Sequence, residues 1–519
     1  GKSKALVTQL VGQQSGLASE RTYTLRTLPS GMAWGLAEAA FRMRPVGAAR
    51  TGAIAAGFAL TVAGYLRGRM SQGRERAGGG QESKRDDSPG GGPVRILNVE
   101  LGSGDAVLGA SAGDAGDNAT RAITLVSLHG QPLGVVDHPS VRDISSPDDH
   151  WRAIQDELAG EIAAHLERDG VALPEPLEVS AISALEPCSL GEPEATEGIT
   201  VVVATHDRPG MLARCLESLL FQDYPDFRIV VADNAPASDA SERLVRQCYS
   251  DTGKVEYVRS NVPGLAIAHN SGMGLVGTPL VAFTDDDVTV DHRWLVAINR
   301  AFQRDRRIAC VTGLIFPAEL ETPAQLWAEE YWGYKKGFRG RLFNLGPDRV
   351  DTPIYPYTAG MFGSGANMAF RTGALREMGG FDPALGAGTK AKGGDDLSAF
   401  FETVKRGYTI AYEPAAIVFH PHHREYESML KQAYGYGAGL TAYLTKLVFD
   451  RPWLLLDMAR KAPAAAAYLL GPKSAKNLRR PAGLPRELFA VERRGMLHGA
   501  WLYAVSRWQT RRLRRRGYA

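Results

Sequence analysis

Three consecutive carboxylates, Asp285, Asp286 and Asp287, follow the apolar run Pro279-Leu280-Val281-Ala282-Phe283. Carboxylates two positions apart can meet one divalent cation, and a hard cation such as Mg²⁺ takes oxygen ligands while bridging substrate phosphates. Asp285 and Asp287 are therefore candidate ligands of a metal-diphosphate site; the bland alternative is a solvated acidic turn. A second acidic pair, Asp395-Asp396, follows Gly393-Gly394 and opens a helical pattern through Phe400, Phe401 and Val404. One carboxylate raises the pKa of its neighbour, which suits general-base chemistry, whereas simple helix capping is the plain reading. A third group is His420, His422, His423 and Arg424. His420 is a candidate for the metal site; a structural zinc centre would need further ligands.

These groups need elements that bring them together. Ile199 to Ala204 is a continuous, mostly β-branched run, typical of a strand buried on both faces, and Thr205-His206-Asp207-Arg208-Pro209 follows it. Asp207 and Pro209 are expected to start a helix with Leu212, Cys215, Leu216, Leu219 and Leu220 on its apolar face. Further strands are expected at Phe227–Ala232, ending in Asp233-Asn234, at Val255–Val258, and at Leu280–Phe283. A helix through Leu265 and His269-Asn270 lies between the last two. Strands alternating with helices imply right-handed crossovers and a parallel sheet. Ligands bind at the carboxyl ends of such strands. Thr205, Asp207, Asp233 and the aspartate triplet all fall on that rim, which scattered solvated acids would not do.

The residues Val201–Thr205 through Arg208-Pro209, Leu216-Glu217-Ser218-Leu219, Val231–Asn234, Gly264-Leu265-Ala266 with Asn270, and Thr284–Asp287 resemble glycosyltransferase family 2. The resemblance covers roughly residues 198–425. It implies a GT-A fold of the α/β class: a Rossmann-like nucleotide-binding half joined to a mixed-sheet acceptor half. It implies that Thr205, Asp207, Arg208, Asp233, Asn234, Asn270, Asp285 and Asp286 bind the nucleotide. Asp287, Asp285 and His420 would hold a divalent cation, Mn²⁺ or Mg²⁺, with Asp287 the direct ligand. By position, Asp396 matches the general base and Asp395 its partner. The family more often has Glu-Asp there, so the two roles could be exchanged. The expected chemistry is inverting transfer from a UDP-, GDP- or dTDP-linked sugar to a glycan, lipid-linked or peptide acceptor. Ala204 and His206 stand where the family more often shows Pro and Tyr or Asn, a departure that leaves the acids intact.

On the acceptor side, Trp327, Tyr331, Trp332, Tyr334 and Phe338 accompany Lys335, Lys336 and Arg339. Aromatic faces suit sugar rings and cations suit phosphate, so Trp327 and Trp332 are expected to touch the acceptor. An amphipathic helix packed on the core is the alternative. Gly363 to Phe370 resembles the family's acceptor-side strand, which makes Gly365 and Asn367 acceptor-side candidates.

At 519 residues the chain is long enough for more than one domain. A formal net charge of +3 is too small to argue for nucleic acid. Cys188, Cys215, Cys248 and Cys310 are scattered, which excludes a disulfide framework and fits a reducing compartment. Residues 1–70 hold one short apolar stretch, Thr51–Leu66, shorter than the roughly 20 residues a membrane span needs. A weak anchor or a buried helix are both open. Met70 precedes a polar stretch, and residues 1–69 are expected to lie outside the natural product or to be loosely attached. Residues 71–93 read as a disordered linker, 94–172 as a small α+β module and 173–197 as a second linker. The transferase domain is expected over 198–437, and a basic helical tail over 438–519. In the module, Ser146 and Pro147 start a helix with Trp151, Ile154, Leu158, Ile162 and Leu166 on one face. Its histidines, His129, His150 and His165, read as scattered surface or core residues. The tail interleaves arginines with Trp501, Tyr503 and Trp508, which reads as a surface for anionic lipid; a solvated helical tail is the plain alternative. The protein is expected in the cytoplasm, peripheral at the inner face of the membrane, in cell-envelope or exported glycan synthesis. A non-catalytic sugar-binding protein on the same fold, or a processive polysaccharide synthase, are the alternative functions. The synthase is disfavoured because no multi-span region and no Gln-x-x-Arg-Trp element follow Asp396.

Overall fold

The computed structural model describes residues 92–101, 119–144, 146–174, 178, 181–182, 196–471 and 483–515. The Thr51–Leu66 stretch, residues 1–70 as a whole and most of both expected linkers lie outside the described residues. The chain divides into two units, one of Asp87–Leu444 with Arg460–Ala519, the other of Gly1–Asp86 with Thr445–Ala459. Of the second, only Thr445–Ala459 is described, where Lys446 pairs with Asp450 at 2.9 Å.

In the first unit, β1 (Val94–Glu100), β2 (Arg121–Leu128) and β3 (Gln131–His138) form a three-stranded sheet. β1 and β2 run parallel, β2 and β3 antiparallel. Helix α1 (Pro147–Arg168) covers one face, capped by Ser146, whose side chain accepts from the Asp149 amide. Ile154, Leu158, Ile162 and Leu166, four residues apart, pack against Val99, Val126, Leu128 and Val136. The other face is not free: Val94, Ile96 and Leu125 join Leu314, Phe316, Leu320 and Ile417 in one core. Burying such side chains contributes on the order of 1.5–3 kcal/mol each, which fixes the module against the larger sheet.

That larger sheet begins with β4 (Ile199–Thr205), buried at every position. Helix α2 (Pro209–Leu220) follows, then β5 (Phe227–Asn234), β6 (Val255–Ser260), α3 (Leu265–Met273) and β7 (Leu280–Asp285). The parallel pairings β7-β4, β4-β5 and β5-β6 give the Rossmann-like half. β8 (Thr289–Val290), α4 (Trp294–Gln303), β9 (Ile308–Pro317), α5 (Pro323–Trp332), β10 (Arg341–Phe343) and β11 (Met368–Arg371) come next. Then come α6 (Asp395–Lys405) and β12 (Thr409–His420). β11 lies antiparallel between β7 and β9, and β12 pairs parallel with β9. The sheet order is β10-β12-β9-β11-β7-β4-β5-β6, with β8 on β12. The expected α/β class, a parallel half joined to a mixed half, is the one observed.

β12 runs unbroken to His420, because Pro414 sits at a register shift between Glu413 and Ile417 rather than ending the strand. One boundary differs from the sequence expectation. Asp207 does not cap α2: it has a φ of +53°, the cap is Arg208, and no side-chain cap bond forms. His129 and Gly130 alone join β2 to β3.

Beyond β12, α7 (Tyr426–Asp450), α8 (Leu454–Leu470) and α9 (Arg486–Arg515) are helical. α9 is not a free tail. Gly495 and Gly499 let it cross α7 closely: a Cβ on Gly495 would lie 2.2 Å from Tyr434 O, and one on Gly499 2.2 Å from Ala438 O. Tyr331 Oη donates to Glu492 at 2.7 Å and Tyr503 Oη to Asp382 at 2.8 Å. No helix among the described residues is long and apolar enough to cross a membrane.

Candidate active site

The carboxyl ends of β4, β5 and β7 bring the first group of acids together. Along the end of β7 and the turn after it, side chains alternate. Asp286 points back: its Oδ2 accepts from Thr205 Oγ1 at 2.7 Å and its Oδ1 from Arg208 Nη1 at 3.3 Å. Arg208 also reaches Asp287 Oδ2 at 3.1 Å. Asp285 and Asp287 point forward and meet His420 from the end of β12; one ligand atom from each lies within 4.8 Å of the others. Asp287 Oδ1 is buried without a hydrogen-bond partner, 3.7 Å from His420 Nε2, and His420 Nδ1 is likewise unpartnered. Burial, then Asp287 and Asp286, hold the Asp285 carboxyl well above its ordinary range. Burial also raises Asp286, offset by the Thr205 hydrogen bond and Arg208. His420 is held neutral by burial, opposed by Asp287. Two oxygens and a neutral imidazole, with negative charge crowded out of water, are a donor set that a divalent cation fits.

Around this group the other rim residues are braced. Asp233 accepts from Tyr257 Oη at 2.8 Å, while its Oδ1 is buried and unpartnered. Burial raises the Asp233 carboxyl, opposed by the Tyr257 hydrogen bond. Asp207 accepts from the Ala237 amide at 3.0 Å. Asn234 bridges Val262 O and the Gly264 amide, and His206 Nδ1 lies 2.6 Å from Asn234 O. Asn270 spans both backbone groups of Phe381, at 2.8 and 2.9 Å. These two asparagines therefore fix loops through their amide groups.

The second acidic pair sits at the first turn of α6. Gly394, with φ +87°, is the cap, and a Cβ there would lie 2.5 Å from Gly439 O. Asp396 Oδ2 accepts from the Gly365 amide at 3.1 Å and its Oδ1 from the Leu397 amide at 2.8 Å. Asp395 is deeper, 5% exposed, with His269 Nδ1 at 3.9 Å. Burial, then the charge on Asp396, push the Asp395 carboxyl up to about 7. Burial raises Asp396 as well, opposed by the amides of Leu397 and Gly365. The two carboxylates thus differ in their surroundings: two amides oppose the rise at Asp396, and the charge on Asp396 adds to the rise at Asp395.

A cavity of about 800 Å³ opens between these groups. Asp285, His420 and His423 line it, as do Ser364 and Ala366 on either side of Gly365. Tyr334, whose hydroxyl bonds that of Tyr436, and Tyr436 itself supply the aromatic wall. Lys392, Lys431 and Arg494 supply cations. The expected acceptor contacts are placed differently. Trp327 packs edge-on against Tyr426 and Trp332 against Tyr436, both in the core between α5, α7 and α9. Asn367 is 1% exposed and committed: Nδ2 donates to Leu314 O and Ala416 O, and Oδ1 accepts from Trp294 Nε1. His422 is buried on Glu329 at 2.9 Å and Arg424 pairs with Glu319 at 3.0 Å, so neither joins the cavity. Sequence reasoning missed Lys392, Lys431, Arg494 and Tyr436. The last three lie on helices whose periodicity shows a buried face without showing what that face meets.

Residues 200–379 match the family model described as "Glycosyl transferase family 2". The match ends before Asp395. Among known proteins, the pre-mycofactocin glycosyltransferase of Mycobacterium tuberculosis is 24% identical over 314 residues, 57% of this chain and 62% of that protein. The glucosyl-dolichyl phosphate glucuronosyltransferase of Haloferax volcanii is 22% identical over 194 residues, 36% of this chain and 57% of that one. The chain thus spans about 62% of the length of the mycobacterial relative. A solved mannosyltransferase from Pyrobaculum calidifontis, in complex with GDP-Man and Mn²⁺, overlaps with a TM-score of 0.37 at 21% identity. That overlap covers 60% of this chain and 88% of the mannosyltransferase.

Proposed function

We propose that this chain, which carries a glycosyltransferase family 2 domain, moves a sugar from a nucleotide-sugar donor to an acceptor hydroxyl by a single displacement with inversion. The observation that carries the reading is the meeting of Asp285, Asp287 and His420, of which Asp285 and His420 line a cavity whose wall includes Ser364 and Ala366, the neighbours of the Gly365 that donates to Asp396. Asp285, Asp287 and His420 would hold a divalent cation, which neutralises charge developing on the departing diphosphate. The remaining work falls to side chains. Asp286 keeps Thr205 and Arg208 in place, so Arg208 stands beside Asp287 where diphosphate charge gathers. Asp233, with one unpartnered oxygen, suits a donor group of the nucleotide. Asp396, held by the Gly365 and Leu397 amides, accepts the proton of the acceptor hydroxyl. The acceptor oxygen then bonds the anomeric carbon as the carbon–oxygen bond to the diphosphate breaks, and that oxygen keeps the electron pair. Lys392, Lys431 and Arg494 fit a negatively charged diphosphate or acceptor, and Tyr334 and Tyr436 fit a sugar face.

The test is nucleoside diphosphate release from a panel of UDP-, GDP- and dTDP-sugars with Mg²⁺ or Mn²⁺, beside Asp287→Ala and Asp396→Asn. Release from one donor that needs the metal and falls by about 10²–10⁴-fold in Asp396→Asn is the expected result. Metal-dependent nucleotide binding with no release from any donor, in the presence of a broad acceptor mixture, overturns the transferase reading in favour of a sugar-nucleotide binding protein.

A further inference from the structure

The module's histidines, scattered in sequence, form two pairs in space, and the pairs differ. His138 and His150 share Thr124 Oγ1, each Nε2 at 2.9 Å, and are satisfied by that hydroxyl. His129 and His165 face each other instead, with the Asp169 carboxylate beside both. His129 Nδ1 lies 3.3 Å from His165 Nε2 and 3.5 Å from Asp169 Oδ2, and His165 Nε2 lies 3.0 Å from the same oxygen. The three side chains are almost fully buried, 2%, 2% and 1% exposed. Despite the short distances, neither Asp169 oxygen accepts a hydrogen bond with proper geometry, and His129 Nε2 has no partner. A carboxylate buried in that state costs several kcal/mol unless a charge or donors compensate it.

The spacing matches a shared cation better than it matches hydrogen bonds. Ligand atoms about 2.0–2.2 Å from a tetrahedral zinc are separated from each other by roughly 3.3 Å. The positions of the residues agree. His129 has φ +53° beside Gly130 at +73°, a two-residue hairpin turn in which Asn-Gly is the low-cost pair. A histidine there bears a backbone cost that its side chain must offset. His165 and Asp169 sit one turn apart at the end of α1, so both project to the same side. Both also form part of the wall of a cavity of about 740 Å³, which Arg168, Arg300, Arg304 and Arg339 line as well.

We propose that His129, His165 and Asp169 form a second metal site, for Zn²⁺ or a similar borderline divalent ion, which ties the β2–β3 turn to the end of α1. The site is independent of the transferase reading, since it lies outside the family-matched residues and shares no ligand with the Asp285–Asp287–His420 group.

The experiment uses the full chain, stripped with a chelator and titrated with Zn²⁺ against a chromophoric competitor. Wild type, Asp287→Ala, His129→Ala and Asp169→Asn are compared. Wild type and Asp287→Ala should each retain one tight zinc, and His129→Ala and Asp169→Asn should bind at least about 100-fold more weakly, beyond what loss of an outer-shell contact costs. Co²⁺ loaded into Asp287→Ala should give the visible absorption of a four-coordinate N/O site, a readout that does not depend on the module variants folding. Equal zinc binding in all four proteins, or no cobalt spectrum in Asp287→Ala, overturns the proposal and leaves a hydrogen-bonded histidine pair only.

Discussion

Asp395 and Asp396 are adjacent in the chain and unlike in their surroundings. Asp396 faces two amides; Asp395 is buried beside His269, with its carboxyl pushed up to about 7. The sign of the stability effect follows. A carboxylate whose folded pKa is raised stabilises the fold while protonated, and that contribution is lost as pH rises from about 4 through about 7. Asp395→Asn keeps the shape without the charge. Its stability relative to wild type should therefore climb across that window by at most roughly 1.4 kcal/mol per pH unit, read from denaturant midpoints between pH 4 and 8. A parallel pH dependence in both proteins would show that Asp395 is ionised at no cost. At this same scale the sequence was informative about acids and uninformative about amides. Carboxylates at strand ends are visible from residue type and position, but Asn234, Asn270 and Asn367 turned out to brace backbone, and only their hydrogen bonds reveal that.

At the scale of elements, the crossing of α7 and α9 matters most to the site. Gly437 of α7 lies against the Glu492 carbonyl of α9, and Gly495 and Gly499 of α9 lie against Tyr434 and Ala438 of α7, at distances that leave no room for a side chain on these glycines. Arg494, next to Gly495, and Val491 then reach the cavity wall. Gly495→Leu should force the helices apart and cost about 1–3 kcal/mol, measured as a shifted denaturant midpoint. It should also lower sugar transfer, because Arg494 moves with the helix. An unchanged midpoint would mean the crossing is looser than these contacts indicate. The β12 boundary belongs here too. Proline argues against a strand interior when one chain is read alone; a bulge opposite β9 accommodates it, and the extra length is what delivers His420 to Asp287.

For the molecule as a whole, the C-terminal helix has two faces with different tasks. Tyr503 is buried on Asp382, while Leu497, Trp501 and Trp508 are exposed and share one side of α9, with Arg512 stacked on Trp508 at 3.7 Å. An exposed apolar stripe among arginines fits the headgroup region of an anionic membrane. Flotation with vesicles containing phosphatidylserine should carry the wild-type chain, and Trp501→Ser with Trp508→Ser should lose most of that binding without altering diphosphate release. Equal flotation of both proteins would place the membrane contact elsewhere or nowhere. The sequence by itself determined the alternating strand and helix order, the parallel half of the sheet and the rim where Thr205, Asp207, Asp233 and Asp285–Asp287 gather. Those follow from local periodicity and from the handedness of crossovers, which a single chain carries in its residue order. Only the tertiary structure decided that Trp327 and Trp332 pack against Tyr426 and Tyr436, that the basic tail contributes Val491 and Arg494 to the cavity wall, and that His129, His165 and Asp169 converge. Those depend on contacts between residues far apart in the chain, and side-chain pattern along one element does not say which partner its buried face will meet.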